Sequence, residues 1–554
     1  MTRSDAGSNT TTMSLATRLD KAQILLEADE FVTRYNLHDS RNLIRKGALL
    51  SYDPHDYARV DGLTDDEITA LQDDKMRVLP QLFCALAGIL YVLLSVSFRP
   101  LDVPTSWNPS YRNIRGILLV AIPLLEYPLA ALLSNSVGRR QALCTASVLV
   151  ILRECLAIRL AFFGYWLQQG FVSLVVDRLL AGLASATLSF NLPLHLAEYG
   201  PASFRGRMMM VWPITLLSFD LLVRSILSSI PFSQYVPWIH VTILPIAALF
   251  ILSLPHMALE SPYQFIPRGH MATSLQTLYK TRPAKIVAAR DLYRIYAASS
   301  SESSLASQST RRATISSITI MLIQALMIPP ELLRVHLFNS YETQDFARSI
   351  MSSSCSLAIT AFSGVFRLID HKRFGQRRFL FLLAFIIQLL LIVLSLDLSS
   401  FVILIVSYCL YFSLSAAFSA VATVYAVEVL PYRCRDKLYA ITISVNSIVR
   451  VFVQIRDTKS HFTHMDSFIY SWQAVQIYTV PVAFLIVSFL MRETANIPLE
   501  DMGKVFEART RDIVLYQVKV VWPYWFKRYV LWRRKMVLEP FEESRYGTGA
   551  IALE

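Results

Sequence analysis

The sequence predicts an all-α membrane protein of twelve transmembrane helices, arranged as two six-helix pseudo-repeats with both termini in the cytosol. Three observations predict it. The composition suits lipid better than water, apolar runs of about one helix span fall into two sets of six, and one charged motif occurs once in each set.

Hydrophobic residues make up 54% of the 554 and charged residues 17%, with a mean hydropathy of +0.42. A water-soluble domain carries roughly a quarter charged residues. The deficit therefore points to lipid, and the length matches about a dozen membrane helices with tails. A net charge of +12 would suggest a nucleic-acid surface in a soluble chain. Here the cations gather in connections on one side of the predicted bilayer, so the charge reports topology and no nucleic-acid partner is expected. The cysteines (Cys84, Cys144, Cys155, Cys355, Cys409 and Cys434) form no C-x-x-C pair, and most lie in apolar runs where they act as small hydrophobes. Neither a disulfide, a metal site nor a cofactor is expected. The first 78 residues start polar and Ser/Thr-rich and lack a signal-peptide core, so the N-terminus is expected to stay in the cytosol.

Residues 1–79 are expected to be a cytosolic tail, largely a solvated arm, with one or two amphipathic helices such as AQILLEADEFVTRYNL. An N-terminal bundle, 80–254, follows with spans at about 80–98, 114–134, 142–160, 171–191, 208–228 and 236–254, each near the 20 residues needed to cross hydrocarbon. A central cytosolic loop, 255–313, ends in a Ser-rich run. The C-terminal bundle, 314–491, holds spans at about 314–338, 348–368, 379–396, 400–422, 438–455 and 469–491. In the tail, 492–554, the stretch VVWPYWFKRYVLWRRKM alternates aromatics with cations and suits the inner headgroup layer.

Orientation follows from the short connections. Arg139 and Arg140, Arg205 and Arg207, Arg377 and Arg378, and Arg433, Arg435 and Lys437 mark the inner side, whereas FFGYWLQQG and SSIPFSQYVP carry no charge.

The motif that organises the chain lies at 177–206. There Arg178-x-x-x-Gly182 precedes Pro193, His195, Glu198, Pro201, Arg205 and Gly206. Tyr425-x-x-Glu428-x-x-Pro431-x-x-x-Arg435 repeats its Glu, Pro and Arg at the same offsets. Gly138-Arg139-Arg140 stands between the second and third spans, Glu260-Ser261-Pro262 follows the sixth, and ETANIPLEDMGKVF, 493–506, follows the twelfth. In this order the motifs resemble the sugar porter family of the major facilitator superfamily, whose halves are parallel repeats. AARDLYRIYA, RRATISSITIMLIQ and RKGALLSYDP resemble stretches of its filamentous-fungal branch.

The resemblance implies a major facilitator fold, a monomer in the plasma membrane, a small-molecule solute as partner and no enzymatic activity. It also implies a gate of Arg139, Arg178, Glu198, Arg205, Arg377, Glu428 and Arg435, whose ion pairs, at a partly wet interface, are worth about 1 kcal/mol each. Substrate contacts are carried over to Gln324, Asn446, His195 and Tyr425. Gly182 with Ala184 and Ala186 forms a small-residue packing face.

The family pattern also breaks. The family's amide in the fifth span is Pro213, the amides after Gln324 become Ala325 and Pro330, and Thr423 and Ser447 replace aromatics. The first span holds no carboxylate, which counts against simple proton symport. Asn135 and Ser136 replace an Asp and an Arg before Gly138. In exchange Glu126, Arg153, Glu154, Arg159, Asp220, Arg224, Glu331, Arg334 and Arg450 fall in or near spans, where a charge costs about 2.5 to 3.5 kcal/mol and seeks a partner or a cavity. Asp220 and Arg224, spaced i, i+4, are expected to pair. A secondary transporter of a sugar or polyol is the first expectation. An exporter of a secondary metabolite or other charged small molecule, and a transport-deficient sensor-like relative, are the alternatives.

Overall fold

The chain is represented by a computed structural model that describes residues 21–52, 57, 60–72, 79–97, 125–162, 171–202, 205–227, 232–257, 259–300, 307–327, 380, 382–387, 390, 401–460, 478–494 and 497–531. Among these residues there is no strand; the elements are helices joined by short turns.

Two hydrophobic cores organise them. The larger lies in a bundle made of α4 (Leu79–Ser97), α5 (125–137), α6 (Arg139–Phe162), α7 (Phe171–Tyr199), α8 (Arg205–Met209), α9 (Val211–Leu227), α10 (Phe232–Met257), α14 (Gln308–Met327), α15 (Phe401–Glu428), α16 (Arg435–Ser460) and α17 (Tyr478–Phe489). The smaller lies in a cap at one end. It packs α1 (Lys21–Arg34), α2 (Arg41–Tyr52) and neighbouring residues against α11 (Pro262–Phe265), α12 (Met271–Thr281) and α13 (Lys285–Ser300), with α3 (Asp65–Gln72) alongside α13.

Side chains on the outside of the bundle are apolar at helical spacing. Leu125, Leu129 and Leu132 on α5, Val148, Leu152 and Leu156 on α6, and Tyr478, Val482 and Leu485 on α17 are all exposed. Stripes of this kind would be an aggregation hazard in water and are the expected surface in lipid. Among the described residues three helical stretches are long and apolar enough to cross a membrane: Arg139–Ile158, Val175–Tyr199 and Trp238–Pro255. The bent pair Ser413–Glu428 and Tyr432–Arg450 makes a fourth if counted as one, and Pro80–Ser95 and Tyr478–Phe489 are shorter apolar helices. The expected span at 348–368 lies outside the described residues.

The cap overturns the expectation of a solvated N-terminal arm and a plain central loop. Ile24, Ala28 and Phe31 on α1 and Ile44 and Ala48 on α2 are spaced one helical turn apart, and all are buried. They face Leu292 and Tyr293 of α13 and Leu275 of α12, buried apolar positions of the segment read as a loop. Phe31 packs edge-on to Tyr293, with ring centroids 5.7 Å apart, and also touches Tyr35 and Tyr296. Short runs with low overall hydropathy hid this pairing, because each buries its apolar stripe only against the other. On the cap surface Arg41 and Arg45 hold the Asp29 carboxyl at about 2, below its ordinary value, with burial opposing them. Phe31→Ala is expected to loosen the cap by about 3 to 5 kcal/mol. Limited proteolysis of the N-terminal 72 residues measures it: cleavage should speed up at least tenfold in the variant.

The C-terminal segment folds back under the bundle. Arg492 donates to the Val505 carbonyl and, at 2.7 Å, to that of Ala508, while its guanidinium lies over the Phe506 ring. Burial brings its pKa down to about 10. Arg312 binds the carbonyls of Phe506, Glu507 and Ala508. Further on, Trp522 stacks on Phe489 at the end of α17 with ring centroids 5.4 Å apart. This brings the aromatic stretch against the end of a span, where the sequence suggested a headgroup location.

Candidate functional site

At the capped end of the bundle, α6 begins after a left-handed turn at Gly138, whose φ is +101°. Its N–H closes α5 by donating to Ser134 at 3.0 Å. A side chain there would be strained and would collide with the Glu260 carboxylate, so the glycine of the Gly-Arg-Arg motif serves both a turn and a close approach. Glu260 and Gln264 accept from the first amides of α6, those of Arg140 at 3.4 Å and Arg139 at 3.2 Å. Burial pushes the Glu260 carboxyl up, and these amides and the two arginines pull it back only in part.

The Arg139 side chain leaves this turn and enters a buried cluster. Its Nε donates to Glu198 Oε2 of α7 at 2.7 Å and its Nη2 to Glu198 Oε1 at 2.5 Å, a bidentate fork. The same Nη2 reaches Asp436 Oδ1, in the first turn of α16, at 2.8 Å. Arg435 Nη1 lies 4.0 Å from Glu198 Oε1. Arg139 and Glu198 belong to the N-terminal set of spans, Asp436 and Arg435 to the C-terminal set, so this cluster ties the sets together. Both Arg139 and Glu198 are under 5% exposed. The pair is therefore not the partly wet one expected from sequence, and breaking it costs more than a surface pair does.

Arg205 takes a different part from the one expected. It donates from Nε to the Ala197 carbonyl at 3.2 Å and from Nη1 to the Ile497 carbonyl at 3.1 Å, tying α8 to the C-terminal segment through backbone. Two more ties join cap and C-terminal segment. Tyr263 donates to Glu500 and Arg294 to Asp501. Although burial pushes the Asp501 carboxyl up, Arg294 and Lys504 outweigh it and hold the group below its usual value. In the second half, Glu428 accepts from Thr494 Oγ1 at 3.2 Å. Arg377, expected beside it, lies outside the described residues. Arg178 is at the other end of α7, twenty residues before Glu198 and so about 30 Å away along the axis. It shares a helix with the cluster and has no place in it.

Deeper in the bundle two of the predicted substrate residues meet. Asn446 Nδ2 of α16 donates to Gln324 Oε1 of α14 at 2.7 Å and to the Met321 carbonyl at 2.6 Å. Gln324 Nε2 donates in turn to Ser419 Oγ of α15 at 2.5 Å, with Thr423 Oγ1 at 3.4 Å. Three helices are joined by amides whose atoms are used on one another. His195 and Tyr425 are elsewhere. Each sits three residues before a motif glutamate; His195 rings against Tyr199 at 5.6 Å, and Tyr425 accepts from the Arg492 amide at 3.1 Å. Asn446→Ala should leave the Gln324 oxygen unpaired and raise the apparent KM about tenfold. Uptake at a series of solute concentrations measures it, and an unchanged KM would remove the Gln324–Asn446 pair from the substrate path.

Two of the charges within spans, Arg153 and Glu154, are neutralised. Arg153 Nε donates to Asp177 Oδ1 at 2.7 Å and its Nη1 to Glu154 Oε1 at 2.5 Å, while His240 Nδ1 lies 2.5 Å from Glu154 Oε2. Glu126 is packed against Gly182 so tightly that any added Cβ would collide with it. Its Oε1 is buried without a hydrogen bond. The side chains of Arg159 and Arg224, and residues Glu331 and Arg334, lie outside the described set, so the expected Asp220–Arg224 pair does too.

Sequence alone missed Asp436, Ser419, Thr423 and His240. Asp436 looks like an ordinary first-turn acid, and Ser415, Ser419 and Thr423, spaced four residues apart in an apolar span, are the signal for a polar face on α15. No group of three or more potential metal ligands occurs among the described residues.

The family model described as sugar (and other) transporter matches residues 127–506. No curated protein matches the sequence at a significant level. Among solved structures the chain is similar to the proton:xylose symporter XylE bound to 6-bromo-6-deoxy-D-glucose, at 18% identity and a TM-score of 0.62, over 77% of this chain and 98% of that one. A double-tryptophan mutant of XylE gives 17% identity and 0.63 over the same shares. The inward-open xylose transporter XylE of E. coli gives 15% and 0.54, over 77% of this chain and 99% of that one. At such identities the likeness concerns the fold. The family match covers well over half of the residues and takes in the capped-end cluster and the Gln324–Asn446 pair, and the chain belongs to the sugar porter family of major facilitator transporters.

Proposed function

We infer that the protein is a secondary transporter that moves a small solute, a sugar or polyol, by alternating access between two six-helix halves, 80–254 and 314–491. The observation that carries this is the Arg139–Glu198–Asp436 cluster, which joins the two sets of spans at the capped end. With it formed, that end is closed; separating Asp436 from Arg139 is the change that would open it. The capped face is taken as cytosolic, because the arginine-rich connections lie there. On this reading the chain has twelve spans and two cytosolic termini and works as a monomer in the plasma membrane, and it is nearest in kind to the filamentous-fungal branch. XylE, to which the fold is similar, is a proton:xylose symporter. The first described span, PQLFCALAGILYVLLSVS, holds no carboxylate to serve such coupling.

Counterflow in vesicles tests this reading. With unlabelled solute inside, labelled hexoses, polyols and sugar acids are offered outside, and at least one should accumulate transiently and saturably. No exchange of any member of the panel would refute the transport reading.

A further inference from the structure

Arg450, like Glu126, is a charged residue within a span that enters none of the ion pairs above. It is one turn beyond Asn446 on α16, and fifteen residues, about 22 Å, from the capped end of that helix, well inside a hydrocarbon core about 30 Å thick. Tyr439, Asn446 and Arg450 share one face of α16 at spacings of seven and four residues. Tyr439 and Arg450 on that face reach toward the first half, while Asn446 between them turns to Gln324 of α14. Tyr439 meets Phe190 of α7 with ring centroids 5.7 Å apart, and Tyr91 of α4 and Tyr127 of α5 lie within electrostatic range of the Arg450 guanidinium. Arg450 Nε is buried and makes no hydrogen bond, and no carboxylate pairs with the group among the described residues. Glu126 and Asp220 act on Tyr91 but are not among the groups acting on Arg450.

A lone guanidinium between two halves that must separate is costly unless an anion visits it. We propose that Arg450 recognises the carboxylate of the transported solute, so that the substrate is a monoanionic sugar acid, an aldonate or uronate, and not a neutral hexose. This rests on the transport reading above. The neighbouring chemistry fits such a molecule. Tyr91 and Tyr127 offer ring faces and hydroxyls to the rest of such a molecule. With no second cation acting at the site, one carboxylate balances the charge where a phosphate dianion would leave an excess.

The test is uptake of labelled gluconate, glucuronate and glucose into vesicles holding the full chain, the Arg450→Gln variant or the Arg450→Lys variant. Wild type should take up at least one acid tenfold or more faster than glucose. Arg450→Gln should lose at least tenfold of the acid flux, and Arg450→Lys should keep part of it. Glucose uptake equal to or above that of the acids, unchanged in Arg450→Gln, would overturn the proposal and leave the transport reading intact, whereas no uptake of any compound by wild type would overturn both. Should Arg450→Gln fail to fold, thermal unfolding of wild type in detergent decides: gluconate or glucuronate should raise Tm and glucose should not, and a rise with glucose alone would overturn the assignment.

Discussion

Replacing Arg139 by alanine is expected to cut solute flux at least tenfold and to leave the capped end of the bundle open. Its guanidinium makes the fork with Glu198 and the bond to Asp436, and both partners of the fork are buried. Removing one member of a buried pair costs about 3 to 5 kcal/mol, because the other is left as an uncompensated charge. Glu198 would keep only Arg435, 4.0 Å away. The part of that loss due to Asp436 falls on the closed state alone, since that bond exists only when the halves meet. A carrier biased by several kcal/mol toward one state cycles slowly however well it binds. Arg139→Lys should recover part of the flux, because it restores the charge without the planar fork. Flux measured in vesicles at equal protein content checks both variants, and wild-type flux in Arg139→Ala would dismiss the cluster as a gate.

Replacing Glu154 by alanine should instead strike stability. Glu154 is completely buried and holds Arg153 and His240, each at 2.5 Å, so it fastens α6 to α10 while Arg153 fastens α6 to α7 through Asp177. Deleting the carboxylate leaves a buried arginine short of charge and an imidazole short of a partner, at a cost of about 3 to 5 kcal/mol. Thermal unfolding in detergent should show a Tm lower by several degrees. Glu154→Gln, which keeps the shape and one hydrogen bond, should lose less. An unchanged Tm in Glu154→Ala would mean that the network contributes nothing to the fold.

Much of this architecture is legible in the sequence, because lipid imposes a strong rule: helices about 20 residues long with their polar atoms satisfied internally. The pairing of Arg139 with Glu198 follows from motif positions at the ends of α6 and α7. What the sequence hides is of two kinds. The cap is invisible because α1, α2 and α13 each carry only a narrow apolar stripe, too weak alone to announce a core. Partnerships across the halves are invisible because nothing in the chain links Arg139 to Asp436, 297 residues later, until the helices are packed. The residues that stand apart from the neighbours expected for them have the same origin. Arg178, His195 and Tyr425 belong to motifs that name a helix but not a height along it, and height decides whether a side chain meets gate or cavity.

The gate itself is tested most directly by distance. Spin labels at Arg140→Cys, on the start of α6, and Lys437→Cys, on the start of α16, in a background without the native cysteines, report the separation of the halves at the capped end. Wild type should show a dominant short distance with a minor longer one, and Arg139→Ala should make the longer one dominant. A single distance distribution, identical in wild type and Arg139→Ala, would contradict the latch.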